Sequence, residues 1–223
     1  MNSTTELLSW SVPTPKMISY EAFTVCVYRR LLDPLIRPLR ARIVRLCREL
    51  GVGKILDIAS ATGAQCRMLG RAGIEATGLD LSEPMIAGAQ RGALRNVHYV
   101  QGSAYALPFA DADFEACLLS LALHEHSEEE RRIMLEEALR VLRPHGYLII
   151  ADYTKPSHTF LHVPWHMIRF IEGIAGGTHR AGFHDFMRQG GLDGLLARHS
   201  LKPIHRVRSH FGTMGIAVAR KER

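Results

Sequence analysis

Short apolar runs alternate with amphipathic stretches along most of this chain. The runs lie at 55–59, 74–79, 97–101, 113–120 and 146–152, and each has the length of a buried strand. Two later runs, 204–208 and 214–220, alternate apolar and polar positions on either side of Gly212, as a hairpin does. The pattern predicts an α/β fold with seven strands in a mostly parallel sheet and helices on both faces.

Capping residues mark several of the predicted helices. Ser82 followed by Pro84 is a typical helix start, and Ser127 with Glu130 forms a capping box. Helices are predicted at 17–31, 39–50, 65–71, 82–93, 127–143 and 191–199, with Pro34 and Pro38 interrupting the chain between the first two. A turn of small residues, 59–63, joins the first strand to a helix, and Asp80 ends the second strand.

This turn and this carboxylate together predict a ligand of the nucleoside type. Small residues let backbone N–H groups approach a ligand, and a carboxylate at the end of the second strand can accept hydrogen bonds from a ribose diol. A dinucleotide site requires three glycines at fixed spacing, whereas only Gly63 is glycine here. The missing glycines argue against an oxidoreductase with a dinucleotide cofactor, which stays open as an alternative.

The first turn resembles motif I of the class I S-adenosylmethionine-dependent methyltransferases, D-x-[GA]-x-G-T-G. Asp57, Ala59, Thr62 and Gly63 match that pattern, and Ala61 replaces its middle glycine. If this position needs a positive φ, alanine costs about 1 kcal/mol there.

Two later segments are similar to the same family. The stretch 100–109 resembles x-x-G-D-A-x-x-L-P-F, with Ser103 in place of an aspartate that accepts a hydrogen bond from the adenine amino group. The stretch 142–148 resembles L-x-P-G-G-x-L, with His145 in place of a glycine. A serine accepts that hydrogen bond without charge assistance, so we expect a weaker bond.

The resemblance implies a Rossmann-like doubly wound sheet with one antiparallel strand, and S-adenosylmethionine as cofactor. Asp80 would hold both ribose hydroxyls, Leu81 would pack on the adenine, and Ser103 would border the adenine edge. The cofactor-binding residues that it implies are Asp57, Ala59, Ser60, Ala61, Gly63, Asp80, Leu81, Gly102, Ser103, Ala104 and Leu121.

The methyl acceptor is expected at the end of the fourth strand. His124 and His126 follow that strand as candidate bases or orienting groups, with two exposed loop histidines as the alternative. Tyr20, on an N-terminal helical cap segment (1–50), is a further catalytic candidate. A methyltransferase domain would fill 51–223, and its aromatic insertion 154–190 would form a lid over a hydrophobic substrate.

The turn D-I-A-x-x-T-G (57–63) and the segment Pro108-Phe109 are similar to the branch that methylates quinones, sterols and phospholipid head groups. A small or lipid-like acceptor is therefore predicted. A methyltransferase of a soluble secondary metabolite and a non-catalytic S-adenosylmethionine-binding protein are the alternatives. Ala61 and Ser103 are the substitutions that favour the non-catalytic protein.

Composition and charge restrict the predicted class of protein only a little. A chain of 223 residues suits one domain, and a net charge of +6 suits an anionic membrane surface or an acidic ligand. No nucleic-acid motif is recognisable. The four cysteines are far apart and no signal peptide is evident, so a reduced, cytoplasmic protein is expected. Peripheral membrane contact and a homodimer are left open.

A metal site is not expected. His158, His162 and His166 recur every four residues, which on one helix would bring them together. Pro156 and Pro164 flank or interrupt that helix, and no acidic residue or cysteine joins the histidines. We therefore predict no metal ligands.

Overall fold

The computed structural model describes residues 33–155 and 177–222, which form a seven-stranded sheet covered by helices on both faces. The strand order is β3-β2-β1-β4-β5-β7-β6, and β7 runs antiparallel to both of its neighbours. The strands are β1 (Lys54–Ile58), β2 (Glu75–Asp80), β3 (Val97–Gln101), β4 (Phe114–Ser120), β5 (Leu142–Tyr153), β6 (Pro203–Ser209) and β7 (Met214–Arg220). The predicted fold class is confirmed.

Six α-helices are described. They are α1 (Asp33–Glu49), α2 (Ala64–Arg71), α3 (Glu83–Gln90), α4 (Glu128–Val141), α5 (Gly177–Arg188) and α6 (Gly191–Arg198). Two short 3₁₀ turns, Leu123–Glu125 and His210–Gly212, complete the elements. The predicted caps are present, because Ser82 accepts from the N–H of Met85 and Ser127 exchanges hydrogen bonds with Glu130.

Two predicted boundaries need correction. Helix α1 (Asp33–Glu49) includes Pro38, which removes one hydrogen bond of the helix, and the burial of Ile36, Leu39 and Ile43 offsets that loss. Strand β5 begins at Leu142, four residues before the predicted start. Helix α5 lies within the expected lid insertion 154–190 and packs on the 3₁₀ turn after β4.

The core lies on both faces of the central strands β1, β4 and β5. Their apolar residues are nearly all inaccessible to solvent, as is expected where a parallel sheet is covered on both sides. Helix α1 joins this core through Ile36, Leu39, Ile43 and Cys47. Residues 33–49 therefore pack as part of the sheet domain.

Parallel strands end at a common edge, and this edge carries the candidate site. The turns after β1, β2, β3, β4 and β5 all lie there, together with the β6–β7 turn, since β7 is antiparallel. Within residues 33–155 and 177–222, no helix has both the length and the apolar character that a bilayer crossing requires. Tyr20, the predicted helix 17–31 and the histidines at 158, 162 and 166 lie outside the described residues.

Candidate functional site

The turn after β1 is built from strained backbone. Ala59, Ala61 and Gly63 have φ angles of 60°, 47° and 70°. The two alanines therefore occupy the left-handed region, where a side chain costs about 1–2 kcal/mol, and the condition set for Ala61 in the sequence is met. At Gly63 a β-carbon would lie 2.4 Å from the Tyr99 hydroxyl oxygen, so glycine is also needed for space.

Asp80 closes this turn from the end of β2. The N–H of Ala61 donates to Asp80 Oδ2 (2.8 Å), and the N–H of Ser82 donates to Oδ1 (2.9 Å). Each oxygen has a second lone pair, so the carboxylate can still accept from a ligand. Burial raises the pKa of this carboxyl, and the two N–H donors oppose that rise.

Asp57 lies beneath the turn, away from solvent. It is 2% exposed and accepts a hydrogen bond from Cys66 Sγ (3.2 Å). Burial raises the pKa of Asp57 to about 7, although the Cys66 bond and the Arg40 charge lower it. This position makes Asp57 a support of the turn.

Two side chains at the turn are buried with unsatisfied polar atoms. Ser60 Oγ and both polar atoms of the Gln65 amide have no hydrogen-bond partner in the described part of the chain, and Gln65 is 4% exposed. Such groups cost about 1–3 kcal/mol each unless something pairs with them. The turn thus fits a polar ligand. Gln65, in the first turn of α2, was not predicted as a site residue, because a glutamine in an amphipathic helix gives no indication in the sequence that it binds a ligand.

Helix α1 is tied directly to the turn. Asp33 accepts from the Thr62 hydroxyl (3.0 Å) and forms an ion pair with Arg40 (2.8 Å), whose side chain is 9% exposed. The Arg67 guanidinium binds the Thr62 carbonyl from the other side (2.8 Å). These contacts hold Thr62 from both sides.

The loop after β3 forms the next wall. The N–H of Gly102 donates to the Asp80 carbonyl (3.0 Å), and Ser103 Oγ accepts from the N–H of Tyr105 (3.1 Å). Leu81 is 40% exposed, although it is a large apolar residue directly after Asp80. The structure thus brings Ala61, Asp80, Leu81 and Gly102 together at one place.

His124 lies at the other end of the site, after β4. Its Nδ1 is 2.9 Å from Asp152 Oδ1, and the two side chains are 2% and 0% exposed. The rings of Tyr153, Phe183 and Phe186 surround the imidazole at centroid distances of 4.7, 6.1 and 6.5 Å. His124 is therefore not an exposed loop residue. Its partner Asp152 was not predicted as a site residue, because the sequence pattern indicates only that Asp152 ends a strand.

His126 has a different environment. Its Nδ1 lies 2.8 Å from the hydroxyl of Tyr105, so it joins the loop after β4 to the loop after β3. Burial lowers the pKa of His126, and the carboxylates of Glu125 and Glu130 oppose that effect. Leu121, between β4 and the histidines, has a φ of 55°, which is strained for a leucine.

A buried arginine fixes the loop that carries these histidines. Arg131 is 0% exposed, and it donates to the carbonyls of Leu123 (3.0 Å) and Gly182 (3.3 Å). Its guanidinium also pairs with Asp185 on α5 and lies over the ring of Phe186. Arg131 thus joins α4, the loop after β4 and α5. An arginine on a charged helix gives no hint of this role.

The chain is similar in sequence to known methyltransferases. Residues 56–150 match the family described as "Methyltransferase domain". A demethylmenaquinone methyltransferase of Thermotoga maritima is 32% identical over 152 residues, which cover 64% of each chain. A ubiquinone/menaquinone biosynthesis C-methyltransferase, UbiE, of Blochmanniella floridana is 32% identical over 126 residues, covering 52% of this chain and 48% of the relative. The chain thus spans less than two thirds of these relatives.

Solved structures show the same fold. The N-methyltransferase NodS of Bradyrhizobium japonicum, in complex with S-adenosyl-L-homocysteine, superposes with a TM-score of 0.64 at 16% identity, over 88% of this chain and 92% of NodS. A SAM-dependent methyltransferase of Aquifex aeolicus gives a TM-score of 0.61 at 18% identity, over 90% and 98%. These structures show the fold. Together with the match over 56–150 and the relatives, they confirm the predicted resemblance to class I methyltransferases that use S-adenosylmethionine.

Proposed function

We propose, from the methyltransferase domain that this chain carries, that the protein transfers a methyl group from S-adenosylmethionine to a small apolar acceptor of the quinone type. The observation that carries this proposal is the placement of Asp80. Its carboxylate closes the strained turn of Ala59 and Ala61 and lies beside the exposed Leu81. A ribose diol, an adenine ring and a polar tail match these three features.

The residues of the first turn would hold the cofactor by its polar parts. Asp80 would accept from the ribose hydroxyls, and Gln65 and Ser60 would pair with the methionine end, which satisfies atoms that otherwise lack partners. When bound, S-adenosylmethionine supplies a methyl group on a positively charged sulfur. Because that sulfur is already a good leaving group, the protein has mainly to position the acceptor and exclude water.

The acceptor class comes from the relatives and from the opposite end of the site. Two relatives are named for quinone substrates, and the wall here is aromatic, with Tyr153, Phe183 and Phe186. Within the predicted cap segment 1–50, the part before α1, with Tyr20, is proposed to cover the acceptor together with the insertion 154–190. Peripheral membrane contact and a homodimer stay predictions.

Titration calorimetry with S-adenosylmethionine and with its demethylated product tests the part of the proposal that concerns cofactor binding. Replacing Asp80 by Ala removes a charge-assisted pair of hydrogen bonds, so we expect affinity to fall by about 1.5–3 kcal/mol. Asp193→Asn is the matched control, because Asp193 pairs with Arg206 and Arg208 on the β6 side and should leave affinity unchanged. Equal affinity of D80A and wild type would contradict the role of Asp80.

The non-catalytic alternative rests on Ala61 and Ser103. Both are departures from the resembled motifs, and both lie at the cofactor turn and its neighbouring loop. Micromolar binding of the cofactor with methylation of a naphthoquinol would exclude that alternative. Binding without turnover across quinols, phenols and amines would favour it.

A further inference from the structure

The pair formed by His124 and Asp152 has features that cofactor binding does not use. The two residues follow β4 and lie near the end of β5, which are neighbouring strands, so their side chains meet at the edge that carries the site. Both are almost fully buried, although each is polar. On the proposed function, we infer that His124 is the base that takes a proton from the acceptor, that Asp152 positions it, and that the acceptor therefore carries an ionisable hydroxyl group.

Hydrogen bonds fix the orientation of the imidazole. The Asp152 carboxylate accepts from the N–H of His124 (3.3 Å) and the N–H of Tyr153 (2.8 Å), both of which can only donate. A buried carboxylate with these donors is an acceptor for the ring as well, so His124 Nδ1 carries the hydrogen at 2.9 Å. The tautomer follows from this network. In the neutral ring, Nε2 then has the lone pair that a base needs.

Glu125 connects this pair to the cofactor end. Its Oε1 is 3.8 Å from His124 Nε2, and its charge is close enough to Asp80 to raise the pKa of that carboxyl. The Nε2 edge of the ring is therefore the edge nearest Glu125, and Glu125 in turn is near Asp80. On the proposed function, the acceptor would lie beside this edge.

The surroundings favour proton transfer at this nitrogen. The charged and titratable groups around the ring are Asp152 from β5, Glu125 and His126 from the same loop, and Arg131 from α4. From helix α5, the rings of Phe183 and Phe186 pack against the imidazole. In such a poorly solvated place the Asp152 charge stabilises the imidazolium more strongly than it would in water.

The step balances without a further reactant. The O–H bond of the acceptor breaks and its proton moves to His124 Nε2, giving an imidazolium and an oxyanion. An electron pair of the acceptor forms the bond to the methyl carbon while the methyl–sulfur bond breaks. The two electrons of the broken bond stay on sulfur, which becomes a neutral thioether. If a ring carbon of the oxyanion is the nucleophile, that carbon afterwards loses its own proton to water. The His124 imidazolium returns its proton to the oxygen, which restores both the hydroxyl group and the neutral base.

Nitrogen-15 NMR of the histidine-labelled whole chain tests the tautomer directly. We expect His124, identified by its loss in H124N, to show a proton on Nδ1 and a lone pair on Nε2 when the ring is neutral. A neutral ring with its proton on Nε2 would overturn the inference. The measurement needs no acceptor, so it remains decisive if the proposed function fails in calorimetry.

Asp152→Asn tests the positioning role. The variant keeps the shape, but an amide can donate to Nδ1 and thereby place the hydrogen on Nε2, so we expect kcat to fall about 10³-fold or more, as loss of the correct tautomer does in triad enzymes. Cofactor affinity should stay within about twofold. Asp152→Glu should restore part of kcat, since a carboxylate is again present.

A series of short-chain naphthoquinols of graded hydroxyl acidity separates a base from a structural pair. For D152N and H124N, the loss in rate should be largest with the least acidic quinol and at least tenfold smaller with the most acidic one. An equal loss across the series, or methylation of amines with no hydroxyl acceptor used, would overturn the inference. If no quinol is turned over, the NMR result alone decides.

Discussion

The two ends of the site are built from different chemical groups, backbone at one end and buried polar side chains at the other. The end proposed for the cofactor, at the termini of β1, β2 and β3, uses backbone N–H groups, small residues and positive φ angles, with Asp80 as its main side chain. The end proposed for the acceptor, at the termini of β4 and β5, uses buried polar side chains: His124 pairs with Asp152, and Arg131 donates to the backbone carbonyl of Leu123 in the loop after β4. A backbone site tolerates changes of side chain better than a site made of matched pairs. The predictions below test this difference.

The largest effect is expected at the acceptor end, from Arg131→Met. The change leaves the carbonyls of Leu123 and Gly182 without their buried donor and removes one of the ion-pair partners of Asp185. Breaking a buried pair from one side typically costs about 3–5 kcal/mol of unfolding free energy. Urea denaturation measures it. The neighbouring Arg132→Met is the control, because its exposed pairs with Glu129 and Glu136 contribute about 1 kcal/mol or less.

If the folded R131M protein still binds S-adenosylmethionine with nearly normal affinity, the two ends are separable. A loss of affinity equal to that of D80A would show instead that the loop after β4 also shapes the cofactor end, and the comparison would fail.

At the cofactor end, Asp57 should make stability depend on pH. Its pKa rises from an ordinary carboxyl value to about 7 on folding, so the folded protein binds more protons than the unfolded chain between these values. Stability from this group therefore falls as pH rises from about 4 to 7, and the total loss is on the order of a few kcal/mol. Urea midpoints across this range measure it, and Asp57→Asn should remove this part of the slope. An unchanged slope in D57N would contradict the buried, weakly paired environment.

The sequence predicted the backbone-built end better than the other. Strand and turn periodicity located Asp80 and the strained turn, because local patterns and small residues are visible along the chain. His124 was found as a candidate, but Asp152, 28 positions later, and Arg131 were not, since their pairing exists only after the sheet forms. Pro38 led to a predicted start of α1 that was too late in the chain. Gln65 was overlooked because only the packing of the folded chain leaves its amide without a hydrogen-bond partner.

Gly182→Ala tests how closely α5 must approach the loop after β4. A β-carbon here would lie 2.5 Å from the Glu125 carbonyl oxygen, so α5 or the loop must shift. We expect a loss of about 1–3 kcal/mol in unfolding free energy, although alanine is the better helix former. Gly92→Ala is the control, since its nearest contact would be Arg67 Cδ at an ordinary 3.5 Å. Equal stability of the two variants would mean that this approach is not tight.

Gln65→Met should change stability and binding in opposite directions. Methionine has a similar volume and no polar atoms to leave unpaired, so the ligand-free protein should gain about 1–2 kcal/mol. Cofactor affinity should fall by a similar free energy, because the methionine end loses its amide partner. Thermal unfolding with and without S-adenosylmethionine measures both terms. A variant that is stabilised and binds normally would show that the cofactor does not use Gln65.

The smallest effect is expected from Ala61→Gly. Glycine relieves the strain of a φ of 47°, which alone is about 1–2 kcal/mol, but it also gives the unfolded chain more freedom, which costs about 0.5–1 kcal/mol. The net gain in unfolding free energy should thus be below about 1 kcal/mol, and the Ala61 N–H keeps its bond to Asp80. His145→Gly is the matched comparison, because His145 has a φ of 63° at the opposite edge of the sheet. Urea denaturation should give similar small gains for both, whereas calorimetry should show a change in cofactor affinity for A61G alone. A large change of cofactor affinity in H145G would mean that backbone strain outside the turn also affects cofactor binding. A lower unfolding free energy of A61G would mean that the contacts of the alanine β-carbon stabilise the protein by more than its strain costs.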